Sequence, residues 1–114
     1  MKNCGNQAHH VHEFVGSTRL AELNTEDVHN HRFAGVTGEP IPRNKSHVHR
    51  IITKTDFFDH YHEIEVITGP AIPVGDGRHV HFVYAMTECA DGHKHSFIVA
   101  TLIEAPIFEE KSIY

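Results

Sequence analysis

The sequence predicts an all-β fold, either a small antiparallel barrel or a two-layer sandwich, of about six repeated strands with a pseudo-threefold internal repeat. A nine-residue pattern occurs six times, and its apolar and polar residues alternate as they do in a half-buried strand. The segments are rich in Val, Ile, Thr, Phe and Tyr, and turn residues separate them. With 114 residues, the chain has the length of a single domain.

The repeated pattern is H-x-H-x-Φ-x-x-x-T, in which Φ is a large apolar residue and the ninth position is always threonine. The pattern accounts for twelve of the thirteen histidines. In chain order, segments one to six are HVHEFVGST, HNHRFAGVT, HVHRIITKT, HYHEIEVIT, HVHFVYAMT and HKHSFIVAT. Alternate residues of a strand share a face. Both histidines are therefore predicted to lie on the face that each segment buries.

The connections between segments predict antiparallel neighbours. "PRNKS", "GDGR" and "ADG" precede segments three, five and six, and a parallel crossover would need about a dozen residues or more. "GEPIP" (38–42) and "GPAIP" (69–73) predict matching strand extensions, within a coarser repeat of 31 residues from His29 to His60 and 33 from His60 to His93. "STRLAELNTED" (17–27) is interpreted as a loop with at most one helical turn. We expect a flexible tail over residues 1–8, one domain over 9–104 and a C-terminal tail over 105–114.

The histidines are predicted to collect at two ends of the domain, because an antiparallel chain reverses direction at each segment. Segments one, three and five supply the first group, called cluster one, and segments two, four and six supply cluster two. A layer of the apolar Φ residues is expected between the clusters. Cluster one comprises His10, His12, His47, His49, His79 and His81, and cluster two comprises His29, His31, His60, His62, His93 and His95.

This arrangement predicts metal binding. Histidines at positions i and i+2 of a strand can reach one ion, and imidazole is a common ligand of transition metals. Three converging pairs supply up to six nitrogens, which suits octahedral Fe, Mn, Co or Ni, or a zinc ion that uses some of them; Cu is the remaining candidate. The repeat threonines are expected to orient the imidazoles from behind. These are Thr18, Thr37, Thr55, Thr68, Thr87 and Thr101.

The leading functional hypothesis is a non-enzymatic protein that holds divalent transition-metal ions for structure, storage or sensing. One alternative is a self-assembling subunit, a homo-oligomer or polymer bridged by metals or by Cys4 and Cys89. A metalloenzyme with a histidine-ligated centre is the third hypothesis, although we assign no catalytic residue. A histidine–threonine hydrogen-bond ladder without metal would have to tolerate many imidazoles that repel each other once protonated.

Composition argues against several classes of partner and location. The net charge is −5 with histidine neutral, and the chain has no Lys/Arg run, so no nucleic-acid partner is predicted. No apolar run is long enough to span a membrane. The start "MKNCGNQAHH" lacks the apolar core of a signal peptide, which predicts a cytoplasmic protein, with a surface or spore-associated assembly as the alternative.

Six stretches of the chain resemble the YmaF family of small bacterial proteins. They are HVHEFVGST, HNHRFAGVTGEPIP, SHVHRI, TDFFDHYHEI, TGPAIPVGDGRHVHFV and DGHKHSF, and the resemblance covers about residues 9–104. It implies that the His-x-His repeat is a pattern of the family, and it implies no particular activity.

Overall fold

The computed structural model describes residues 9–107, and the predicted tail over residues 1–8 lies outside this range, as does most of the tail predicted after residue 104. Within residues 9–107 all regular secondary structure consists of β-strands, which confirms the predicted all-β class. The strands are β1 (Val11–Ser17), β2 (Arg32–Val36), β3 (Ile41–Arg43), β4 (Ser46–Val48), β5 (Arg50–Lys54), β6 (Glu63–Ile67), β7 (Ile72–Gly75), β8 (Arg78–Val80), β9 (Phe82–Met86), β10 (Ser96–Ala100) and β11 (Glu104–Ala105).

The strands of the described range form five small antiparallel sheets. β1 lies between β11 and β2, and the other four sheets are the pairs β3–β4, β5–β6, β7–β8 and β9–β10. About six strands was therefore too low a prediction, because residues between the segments, the first residues of segments three and five, and residues after segment six also form strands. Of the two predicted architectures, barrel or sandwich, a closed barrel is not found in residues 9–107, since no continuous ladder joins one sheet to the next.

Three of these pairs, β1–β2, β5–β6 and β9–β10, contain the middle residues of the six segments and are called the central pairs. Each pairs an odd segment with the next even segment in antiparallel register. Phe14 faces Gly35, Ile51 faces Val66, and Phe97 faces Ala85. The large residue at the fifth position of one segment thus lies opposite the smaller residue at the seventh position of its partner, which allows the two to pack on one face.

Neighbouring central pairs are joined at their ends by isolated backbone hydrogen bonds. One bond lies at each end of each junction, at 2.8–3.0 Å. At the cluster-one end, the N–H groups of Gly38, Gly69 and Leu102 donate to the carbonyls of Arg50, Phe82 and Glu13; at the cluster-two end, those of Asp56, Glu88 and Arg19 donate to Arg32, Glu63 and Ser96. The three pairs therefore meet around a shared interior without merging into one sheet.

The predicted apolar layer fills this interior. The six Φ residues are buried together with Val99, and Val66 and Ala85 pack against them. Two glycines make room for the phenylalanines. A Cβ on Gly16 would lie 2.7 Å from Phe33 Cζ, and one on Gly35 would lie 2.8 Å from Phe14 Cζ. The Φ residues are Phe14, Phe33, Ile51, Ile64, Val83 and Phe97.

The predicted strand extensions form two hairpins outside the central pairs. β3–β4 turns at Asn44 and Lys45, and β7–β8 turns at Asp76 and Gly77, all with positive φ. Such left-handed pairs of residues match the twist of two-residue hairpins. Residues 17–27 contain no helix, in agreement with the predicted loop.

Candidate metal centre

The histidines gather in the two predicted groups. In each cluster, one ring nitrogen from each of the six histidines lies within 4.8 Å of all the others. Cluster one lies at one end of the central pairs and cluster two at the other, with the apolar layer between them. The predicted grouping into two histidine clusters is therefore confirmed.

Of the twelve clustered histidines, His12 lies in a strand of the central pairs (β1), and the other eleven do not, contrary to the prediction from the pattern. His60 and His62, for example, precede β6, which begins at Glu63. The reason is a change of hydrogen-bond partner at the strand end. His62 N–H donates to the hydroxyl oxygen of Thr55 at 3.0 Å, while Thr55 N–H donates to the His62 carbonyl at 2.9 Å. A threonine hydroxyl thus replaces a backbone carbonyl in the last rung, and the regular ladder ends there.

The third-position histidines, called the inner histidines, are held by backbone carbonyls. His49 Nδ1 donates to the Gly38 carbonyl at 2.8 Å, and His95 Nδ1 donates to the Arg19 carbonyl at 2.8 Å. In every case the acceptor follows a repeat threonine of the neighbouring central pair. The other four bonds, at 2.9–3.2 Å, join His12 to Leu102, His31 to Asp56, His62 to Glu88 and His81 to Gly69. Since a carbonyl only accepts, each Nδ1 carries the proton and each Nε2 exposes a lone pair.

The repeat threonines connect these contacts. The Thr68 hydroxyl accepts a hydrogen bond from His49 N–H at 3.1 Å and donates to the Gly69 carbonyl at 2.8 Å. That carbonyl also accepts from His81 Nδ1 at 2.9 Å. The same pair of hydroxyl contacts occurs at Thr37, Thr55, Thr87 and Thr101, and the Thr18 hydroxyl accepts from His31 N–H. The threonines are buried behind the inner histidines, where their predicted orienting role is geometrically feasible.

Cluster two contains nitrogen pairs that cannot hydrogen-bond to each other. His29, His62 and His93 each donate Nδ1–H to a backbone carbonyl, at 2.7, 2.9 and 3.1 Å. Their Nε2 atoms are then acceptors in the neutral rings. Yet His93 Nε2 lies 3.1 Å from His29 Nε2 and 3.3 Å from His62 Nε2. Facing lone pairs at this distance repel, and a cation between them would convert the repulsion into coordination.

Buried nitrogens without hydrogen-bond partners also indicate a cation in each cluster. His49 Nε2 in cluster one and His95 Nε2 in cluster two are buried, and neither has a hydrogen-bond partner among the described residues. Buried polar atoms in native proteins are normally satisfied, so such an exception calls for an unseen partner such as an ion. The donor set fits a transition-metal ion, for which imidazole is a suitable ligand.

The rings of cluster two are arranged like the ligands of one octahedral ion. Each ring lies edge-to-face with every other ring of the cluster except one, at centroid distances of 4.7–5.1 Å. The three remaining pairs lie opposite each other, as the corners of an octahedron do. These opposite pairs are His29 with His62, His31 with His93, and His60 with His95.

Cluster one has the same arrangement, at centroid distances of 4.5–5.1 Å. His12 lies opposite His47, and His49 lies opposite His79. Neighbouring ligands at about 2.1 Å from an octahedral ion are about 3.0 Å apart. The Nε2 atoms of His12 and His79, at 3.1 Å, and of His47 and His79, at 3.2 Å, come close to this spacing.

Burial favours the neutral form of several rings. It lowers the pKa of His49 from 6.5 to about 3, against the opposing effect of the Gly38 hydrogen bond and with help from nearby His81. Burial likewise lowers the pKa of His79 and of His95 to about 4. In each case the neighbouring histidines lower it further, because charged imidazoles repel. Neutral imidazole is the form that binds metal.

Several carboxylates near the clusters were not predicted from the sequence. Glu104 lies in β11, and its Oε1 is 3.5 Å from His79 Nδ1. Asp56, Asp91 and Glu22 approach Nδ1 of three cluster-two histidines at 3.3–3.6 Å. These residues lie outside the nine-residue pattern, so the repeat gave no signal for them. Asp91 is next to the turn at Gly92, and Asp56 directly follows a repeat threonine.

Bridging between subunits through Cys4 and Cys89 stays a prediction. Cys89 is an exposed free thiol, and Cys4 lies outside the described range. Within residues 9–107 there is also no helix of the length and apolarity that would let it cross a membrane.

Comparison with known protein families gives a match over nearly the whole chain. The model of the YmaF family, described as spore germination protein GerY/YamF, matches residues 7–103. No curated protein and no solved structure matches the chain. Because the match covers most of the 114 residues, the chain belongs to the YmaF family.

Proposed function

We propose that this protein binds two divalent transition-metal ions, one in each histidine cluster, and that the ions hold the ends of the three central pairs together. The observation that carries the proposal is the set of facing Nε2 lone pairs of His29, His62 and His93, at 3.1 and 3.3 Å. Each of these rings has committed its only proton to a backbone carbonyl. A cation bound between these nitrogens removes the repulsion between their buried lone pairs.

The ligand set favours an octahedral ion. Six neutral nitrogens at the corners of an octahedron suit Fe²⁺, Co²⁺, Ni²⁺ or Mn²⁺, whereas zinc prefers four ligands. The carbonyl bonds to Nδ1 orient the inner rings before the ion arrives, as carbonyl and carboxylate partners do behind metal-bound histidines. The ligand nitrogens of each cluster all lie within 4.8 Å of one another, and the distance across an ideal site is about 4.2 Å, so binding requires at most a small contraction.

A structural role is favoured over catalysis. A catalytic metal keeps an open position for water or substrate, and six histidines fill the sphere of an octahedral ion. Each cluster takes two histidines from each central pair, so one ion would cross-link all three pairs. Besides the shared apolar layer and the inner-histidine contacts, isolated backbone hydrogen bonds join neighbouring pairs in the described residues. The same contacts recur in the three pairs, which supports the pseudo-threefold internal repeat.

The family description suggests the setting. We propose that the metal-bound domain acts in spore germination, where a domain held together by ions would unfold or loosen when they are removed. Replacing the gene in a spore-forming host with a version that lacks His60 and His62 tests this. If this strain germinates as the unmodified strain does, at equal protein level, the metal sites are not needed for germination and this part of the proposal is wrong.

The biochemical test uses full-length protein purified without a histidine tag. We expect about two transition-metal ions per chain, and a lower thermal midpoint after EDTA treatment that returns when Ni²⁺ or Fe²⁺ is added back. X-ray absorption should give six nitrogen neighbours per ion. Metal content near zero after mild purification, with no change in midpoint on adding either ion, would overturn the proposal.

Self-assembly is the second candidate, because one face of β9 is exposed and apolar. Phe82, Tyr84 and Met86 are 47–69% exposed on that face, and Cys89 follows as an exposed thiol. Exposed apolar patches often mark interaction surfaces. Light scattering with chelator and with reductant distinguishes the routes. A mass that falls with chelator alone indicates metal bridging, one that falls with reductant alone indicates disulfide bridging, and a monomer throughout contradicts assembly.

A further inference from the structure

We propose that the two metal sites are unequal and that cluster two binds its ion more tightly than cluster one. This inference rests on the proposed function. The repeat itself predicts two equivalent sites, since each cluster has six histidines in the same octahedral arrangement. The difference comes from carboxylates that lie outside the repeat.

Among the described residues, cluster two has three carboxylates at ion-pair distance from its rings. Asp56 Oδ1 lies 3.3 Å from His31 Nδ1. Glu22 Oε2 lies 3.5 Å from His93 Nδ1, and Asp91 Oδ2 lies 3.6 Å from His60 Nδ1. His31 and His93 also donate Nδ1–H to backbone carbonyls, so the carboxylates act beside these bonds rather than in place of them.

His60 depends most on its carboxylate. Its Nδ1 is buried and has no hydrogen-bond partner among the described residues, and Asp91 is the acidic group that faces it. Asp59 is close to both, since the three residues can place one ligand atom each within 4.8 Å of the others. When His60 Nε2 binds an ion, its Nδ1–H becomes a stronger donor, and a small rotation brings it within hydrogen-bond distance of Asp91.

Cluster one is served differently. Within the described residues, Glu104 is the carboxylate at ion-pair distance from one of its rings, with Oε1 3.5 Å from His79 Nδ1. Glu104 is more buried than the three cluster-two carboxylates, which would strengthen its effect. However, its other oxygen lies 3.5 Å from Arg78 Nη1, so the arginine offsets its negative charge.

The physical consequence is a difference in charge compensation. Six neutral imidazoles leave the full positive charge of the ion in a buried site. A carboxylate behind a ligating imidazole raises the basicity of that ring and attracts the ion, and removing such a partner typically costs about 10–100-fold in metal affinity. Three carboxylates that form no ion pair with an arginine among residues 9–107 should outweigh one that is shared with Arg78. Because the three are partly exposed, salt should reduce the difference.

The test is a chelator titration of full-length, untagged protein loaded with Co²⁺. We expect two release steps at low salt that differ at least tenfold in affinity. Paramagnetically shifted Nδ1–H resonances identify the cluster that keeps its ion, and single-histidine variants assign them. The combined variant Glu22→Gln, Asp56→Asn and Asp91→Asn keeps the shape and acceptors of these side chains but removes their charges. It should weaken the tighter step at least tenfold and leave the weaker step unchanged.

The matched control is Glu104→Gln, which should shift the weaker step and spare the tighter one. Two equal release steps in the native protein, or a combined variant that changes neither step, would overturn the inference and leave the proposed function intact. Failure of the native protein to bind Co²⁺ at all would instead overturn the proposed function. Should the combined variant unfold, Glu22→Gln alone carries the test, because this substitution is on a loop and partly exposed.

Discussion

His49 and Gly38 lie on neighbouring central pairs, and His49 Nδ1 donates to the Gly38 carbonyl at 2.8 Å. This contact fixes the proton on Nδ1 and turns Nε2 towards the centre of cluster one. All six inner histidines make the equivalent contact, each with the pair next to its own. The direction of every inner ring therefore depends on correct docking of two central pairs, so metal binding and assembly of the domain are coupled.

The first prediction concerns Thr68→Val, which replaces the hydroxyl with a methyl group of similar size. His49 N–H loses its acceptor and the Gly69 carbonyl loses a donor, and both belong to the network behind cluster one. A buried N–H without a partner costs about 1–3 kcal/mol. We expect the free energy of unfolding of the metal-free protein to fall by this amount, as measured by urea denaturation.

Thr53→Val is the matched control for this change. The Thr53 hydroxyl donates to the Ala34 carbonyl at 3.1 Å, but it is only half-buried, so water can replace it. The control should lose clearly less stability than Thr68→Val. Equal losses in the two variants would show that the hydroxyl network behind the clusters contributes no more to the free energy of unfolding than the half-buried Thr53 hydroxyl.

The second prediction is that the two clusters bind their ions independently. Replacing His60 and His62 together by alanine removes two ligands from cluster two, while cluster one lies on the far side of the apolar layer. We expect metal content to fall from two ions to one per chain, with Nδ1–H resonances of His49 and His81 unchanged. His47→Ala with His49→Ala is the mirror-image control and should empty cluster one alone. Loss of both ions from a still-folded variant would contradict two independent sites.

The all-β class and the membership of both clusters could be predicted from the sequence, because these depend on a period of two and on reversal of direction at each segment. The positions of His60 and His62 outside β6 were not predictable from that period. They depend on Thr55 supplying its hydroxyl in the last rung, a contact between paired segments that the alternation along one strand does not encode. Of the two predicted architectures, the closed barrel was wrong, because isolated hydrogen bonds rather than continuous ladders join neighbouring central pairs.

The third prediction concerns the core. Gly16→Ala places a Cβ 2.7 Å from Phe33 Cζ and 3.1 Å from Val99 Cγ2. Overpacking of this kind costs about 1–3 kcal/mol of folding free energy. Gly38→Ala is the control, because its nearest neighbour, the Arg50 carbonyl oxygen, would be 3.9 Å from the new Cβ. Thermal denaturation should show a lower midpoint for Gly16→Ala only. Equal midpoints for both variants would contradict the packing described for the phenylalanines.

The last prediction is the pH dependence of the metal-free protein. Burial lowers the pKa of His49 to about 3 and that of His79 and His95 to about 4, all from 6.5. The unfolded chain therefore takes up more protons than the folded one below about pH 6.5. Stability should be at its full value above that pH and should fall progressively as the pH drops towards 4. Thermal midpoints measured at pH 8, 7, 6 and 5 with EDTA present test this. His9→Asn, an exposed histidine outside both clusters, should leave the profile unchanged. A midpoint that stays constant from pH 7 to pH 5 would mean that the clustered rings are not held neutral by the fold.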